Sequence, residues 1–365
     1  MTLALMMSVP PAHGQDGVQL PDQVFGSDVI SLIVIDTQQL TPDRLQQGHT
    51  ALLDSLSGGD AQTRGMLQQR MSDAEQAGQR FANAHSQFSQ AGGRALVVGM
   101  LPPADGGNEP QAFGLVHAEP GSDPGQLSQA LAQMDENGEA SELQPYVDGW
   151  WYTSDDEMVQ PPQSGDMETA NQLREALSLA NGSSVAIGMR MNDQMREGLA
   201  QAMNNPQAAM FAPAITALQQ MEIGGAGVAV GDQPGVDITL QFANEQAAQQ
   251  FNQAWTTLTM LGHGMLSAQM SQMPAAQRPD PQVIQQAFTH LQMGHDANQC
   301  TLSLGEEFLG SLSPLVQQYA QMQAGQMQQQ PALEDSGEMP EYEAEMEGSG
   351  SDVEEAGMEL EAVAD

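Results

Sequence analysis

Lysine is absent from this 365-residue sequence, and its nine basic residues, all arginine, face 47 aspartates and glutamates for a formal net charge of −38. A phosphate backbone is held by clustered cations that displace its counterions, so DNA, RNA and anionic lipid are poorly matched as partners. Cationic partners, divalent ions among them, suit the imbalance better, and the same charge keeps copies apart in a crowded medium. The single cysteine, Cys300, rules out an internal disulfide and leaves the fold to be held by its cores. Aromatic residues make up only 4%, while methionine supplies 25 residues and glycine 37, so Ala, Val, Leu and Met must fill those cores. Beyond a short apolar run at the start, nothing approaches the roughly 20 apolar residues of a membrane helix, and no integral membrane segment is expected.

What is present begins with Leu3 to Val9 followed by Ala12-His13-Gly14, a small-x-small cleavage pattern like the back half of a secretory signal peptide without its positive end. An exported protein, periplasmic, envelope or extracellular, is the expectation. The length suggests two units of roughly 150 residues. The expected division is a signal remnant over 1–14, a first α+β repeat over 15–160, a linker and connecting helix over 161–183, a second repeat over 184–330 and a disordered acidic tail over 331–365. The tail carries an acid at nearly every second or third place and no base, so self-repulsion goes unopposed by apolar burial. Weak binding of divalent cations by this tail is a further expectation.

The stretch Ile223 to Leu261 organises the rest. Val236, Ile238, Leu240 and Phe242 alternate with Asp237, Thr239 and Gln241, which marks a half-buried strand. The preceding run, with Ala226 and Val228 on one face and Gly227 and Ala229 on the other, joins it through Asp232-Gln233-Pro234-Gly235 as a hairpin. Asn244 then caps a helix whose Ala247, Ala248, Phe251, Trp255 and Leu258 recur at helical spacing. Earlier, the β-branched run from Val29 to Ile35 predicts a central strand. Thr41-Pro42 opens a helix that ends at Ser57-Gly58-Gly59, and Leu67, Met71, Ala74, Gly78, Phe81, His85 and Phe88 form one longer helical stripe. A second hairpin spans Ala95 to Met100 and Phe113 to Ala118, and Asp123-Pro124 caps the next helix. Tyr146 to Thr153, with two of the three tryptophans, predicts a strand or tight hairpin, and 154–167 a linker. In the second half Val185 to Met191 alternate as a strand, 262–279 forms a Met-, Gln- and Gly-rich connection, and Cys300, Leu302 and Leu304 alternate in a last strand.

Both halves thus give strand, helical region, hairpin, helix, strand and closing helix. The order β-α-β-β-α-β predicts an α+β fold of two tandem ferredoxin-like repeats, antiparallel sheets with helices on one face. The export-like start, the first strand, the capped helix after a hairpin and the segment Tyr146-Val147-Asp148-Gly149-Trp150-Trp151-Tyr152-Thr153-Ser154-Asp155-Asp156-Glu157-Met158 resemble uncharacterised exported bacterial proteins built of tandem α+β repeats. That resemblance covers most of residues 28–323 and implies no activity.

Catalytic patterns are missing. No G-x-S-x-G, H-E-x-x-H or P-loop occurs, and Gly225-Ala226-Gly227 with Gly231 lies in a hairpin strand rather than before a helix, so no cofactor is expected. His290, His295 and Cys300 are soft-metal ligand types, but Cys300 alternates with leucines and points into a core. His263, Met265, Met270 and Met273 are the sharper metal candidate, because thioethers bind Cu(I). Asp148, Asp155, Asp156 and Glu157 can hold Ca²⁺ only weakly without EF-hand spacing. The expected function is that of an exported non-enzymatic protein which binds a partner or small ligand or acts as an envelope scaffold. A Met- and acid-based Cu or Ca binder, and a hydrolase of unrecognised type, are the alternatives.

Overall fold

Hydrophobic alternation along the chain resolves, in the computed structural model, into one antiparallel sheet with ten strands among the described residues. The structure describes residues 18–329 except 104–109, 135–141, 155–158, 161, 181 and 275–277. The signal-like start, the acidic tail and Asp155, Asp156 and Glu157 lie outside the described residues. Residues 1–323 form one compact unit and 324–365 a second, of which only 324–329, the end of a helix, is described.

In chain order the strands are β1 (Ser31–Asp36), β2 (Gly93–Pro103), β3 (Pro110–Ala118), β4 (Gln144–Val147), β5 (Trp150–Thr153), β6 (Val185–Arg190), β7 (Met221–Ala229), β8 (Gly235–Phe242), β9 (Gly294–Asp296) and β10 (Gln299–Leu304). The helices are α1 (Pro42–Ser57), α2 (Ala61–Arg70), α3 (Ser72–Gln90), α4 (Pro124–Ala132), α5 (Met167–Ser178), α6 (Asp193–Ala202), α7 (Ala212–Leu218), α8 (Glu245–Ser271), α9 (Pro281–Thr289) and α10 (Glu306–Gln329). The sheet order is β4-β5-β3-β2-β1-β6-β7-β8-β10-β9. The β-branched run becomes β1 at the middle of the sheet, as its composition predicts.

Two features depart from the tandem ferredoxin-like expectation. Because β1 pairs with β6, Ile33 opposite Ile187, both halves join one sheet where two were expected. Within each half, moreover, β1–β2 and β6–β7 are antiparallel neighbours, whereas a split β-α-β unit sets a third strand between its first two.

Side-chain parity explains the layers. Val34 lies opposite Val97 and Ala186, and with Leu32 two residues before it shares a face with Leu115, Tyr152 and Trp150, against which α5 lays Leu173 and Leu177. The other parity carries Val116 beneath Phe88 of α3 and Leu127 of α4, and Phe242 and Cys300 beneath Ala248 and Phe251 of α8. Helices therefore cover both faces, not one. Where α5 crosses β6 and β7, Gly188 and Gly225 let it come down onto the backbone, since a Cβ on Gly225 would lie 2.6 Å from the Leu179 Cβ.

Capping fixes the ends where the sequence places them. Thr41, Asp60, Asp123, Asp166, Asn192, Asn244 and Asp280 each accept from an amide of the following first turn. Asp60 and Asp166 are held below the usual carboxylate range by their hydrogen bonds to Thr63 and Thr169. The stripe expected as one long helix is two, broken at Met71. The expected linker after β5 is pinned, for Tyr152 and Tyr146 donate to the carbonyls of Val159 and Pro162 at 2.5 and 2.6 Å. Burial pushes the Tyr146 hydroxyl up to about 12. Among the described residues no helix is long and apolar enough to cross a membrane.

Candidate functional site

The expected connection from Gly262 onward is instead the second half of α8, which runs unbroken to Ser271. At about 1.5 Å per residue its 27 residues span roughly 40 Å. Met, Leu, Ala and Gln favour helix strongly enough to carry two glycines, and α9 supports the segment. Phe288 of α9 sits 3.6 Å from the position a Cβ on Gly262 would take and meets the His263 ring edge-on at 5.3 Å. Two turns earlier Trp255 donates to the Leu291 carbonyl at 2.6 Å.

One flank of α8 thus faces α9, and its first half, through Ala247, Ala248 and Phe251, faces the sheet. A third flank does neither. Gln250, Gln253, Thr257 and Leu258 face Met210 of the 3-10 helix Pro206–Phe211 and Pro213 of α7 across a groove of about 470 Å³. Its floor is Ala214 and Ala254, both buried. Thr216, on the α7 wall, donates to the Ala212 carbonyl at 2.8 Å, and the Met203 sulfur lies 3.6 Å from the same hydroxyl oxygen.

The groove continues past its walls. Steps of three and four residues from Leu258 bring Leu261 and Met265 onto the same flank. Met210 is 55% and Met265 63% exposed, and Met203, Phe211 and Leu261 are exposed too. None of the residues lining the groove is charged. The half-walled neutral channel therefore has exposed apolar side chains at Met203, Met210, Leu261 and Met265, the kind of surface that contacts a partner.

The four residues of the copper candidate part ways on this helix. At about 100° per residue, Met270 returns to the side of His263 while Met265 lies some 160° away. Burial agrees, with Met270 5% exposed against 63% for Met265. Met273 follows the end of α8. Met265 joins the groove flank, whereas His263 faces Phe288.

Cys300 and His295 are direct cross-strand partners beneath α8, and the Cys300 thiol donates to the Ala248 carbonyl at 3.3 Å. His117 stacks on Trp150 at 4.7 Å, and burial, with the neighbouring Arg94, lowers its pKa. His85 is buried against the Thr37 carbonyl at 2.7 Å. Gly225 and Gly227 lie in β7 and Gly231 in the turn after it, with no helix N-terminus at hand for a dinucleotide. Asp148 sits exposed at the β4–β5 turn. An acidic cleft with Asp43, Asp54 and Asp232 opens beside α1, but Asp54 is paired to Arg64 at 2.5 Å. Among the described residues no three His, Cys, Asp or Glu side chains are grouped to hold a metal ion.

Sequence reasoning missed Met210, Phe211, Thr257 and Leu261. The available signal was that the apolar residues of α8 run all round the helix after Leu258, more than one buried stripe requires. No family model, curated protein or solved structure matches the chain.

Proposed function

We propose that this is an exported, non-enzymatic binding protein that takes an apolar segment of a partner into the groove between α7 and α8. One observation carries the reading: Met210 on the groove wall, and Leu261 and Met265 on the continuation of the facing flank of α8, stand in solvent. Burying them supplies affinity, because apolar surface removed from water stabilises by about 25 cal/mol per Å². Methionine side chains are unbranched and polarisable, so the surface adapts to its occupant without a fixed pocket shape. Export rests on the Leu3–Val9 run with Ala12-His13-Gly14, and the non-enzymatic part on the lack of any catalytic pattern in the sequence.

The two halves are read as copies of one β-α-β-β-α-β unit. The sheet order supports this, for β1-β2-β3-β5 and β6-β7-β8-β10 run outward from the central β1–β6 pair in matching sequence. On this reading the second copy, whose helix after the hairpin is 27 residues against 9 in the first, carries the groove.

Nile red, an uncharged probe of apolar surface, tests the site. It is expected to bind the protein with a blue-shifted emission, and Met210→Gln with Phe211→Ser is expected to weaken binding at least tenfold while leaving the circular dichroism melt in place. Equal binding by the variant would refute the groove.

A further inference from the structure

Resting on that reading, we infer that the groove's occupant is a cationic amphipathic helix of a partner protein. Shape comes first. From Gln250 to Met265 the exposed flank of α8 extends about 22 Å, or four helical turns. A small molecule lodged among the walls leaves Leu261 and Met265 uncovered, and a helix lying along α8 covers both. An added strand is the wrong shape, because it pairs with a free sheet edge, while the groove offers helix side chains whose backbone groups are already bonded within their own helices.

Charge decides between helical occupants. The lining is neutral, and the sign that predominates in the chain around it is negative, 47 acids against nine arginines. Arg196, the base on α6, is engaged with Asp193 and with the carbonyls of Gln219 and Met221. The whole chain carries −38, so a second copy and an anionic bilayer are both repelled. A helix with an apolar stripe and a basic back face is steered in by the same field and buries its stripe on the methionines. This is recognition of a helix in a groove by flexible thioethers, with the charge setting which helices arrive.

The test uses the full chain and a fluorescein-labelled 18-residue Leu/Lys peptide of amphipathic helical pattern, followed by anisotropy at physiological salt. A Leu/Glu peptide of the same pattern and a Leu/Lys peptide of scrambled order serve as comparisons. Expected is saturable binding of the first alone, weakened at least tenfold by Leu261→Gln with Met265→Gln and unchanged by Met167→Gln, an exposed residue at the start of α5. Equal binding of the Leu/Glu peptide overturns the charge assignment and leaves the groove reading standing. Equal binding of the scrambled peptide, no binding of the patterned one, or indifference to the Leu261 and Met265 changes overturns the helix in the groove. Sedimentation that shows a dimer dissolved by those two changes assigns the groove to a second copy and overturns the proposal.

Discussion

Cys300 is fully buried beneath α8, and desolvation pushes its thiol up to about 11. The thiolate is the reactive form, and a thiol with that pKa is almost wholly protonated at pH 8. Native protein is therefore expected to leave 5,5′-dithiobis(2-nitrobenzoate) unreacted at pH 8, and to release one equivalent of thionitrobenzoate once unfolded in guanidinium chloride. Prompt native reaction would contradict the packing of β10 under α8. The inward direction of this side chain was legible from its alternation with Leu302 and Leu304. The methionines were not. Met221 and Met270 are core while Met210 and Met265 are surface, and one flexible, uncharged side chain serves either place without altering the local pattern.

Between elements, the face of β7 that carries Gly225 and Gly227 is where α5 comes down onto the sheet. A Cβ at residue 225 overlaps the Ala176 carbonyl and crowds Leu179, so Gly225→Ala is expected to destabilise by about 1–3 kcal/mol in urea unfolding, as overpacked sites do. A neutral result would mean that α5 stands off the sheet. Helix starts were readable because a cap is a local bond between a side chain and an amide two or three residues on. The length of α8 was not, since support from Phe288 of α9 outweighs Gly262 and Gly264 and comes from outside the segment.

Across the molecule, most strands came through, while the short β9 and the strand order did not. Alternation reports which residues share a face, but the pairing of β1 with β6 links residues some 150 positions apart, and nothing local encodes it. The groove was hidden for the same reason, since its two walls come from α7 and α8 with a whole hairpin between them. The central claim is that a partner helix lies along that groove, and its most direct measurement is the methyl spectrum of protein labelled with [ε-¹³C]methionine during titration with the amphipathic Leu/Lys peptide. The account predicts shifts at Met203, Met210 and Met265, assigned by single Met→Leu substitutions, with Met167 and buried Met191 unmoved. Shifts at Met167, or none at Met210 and Met265, would contradict it.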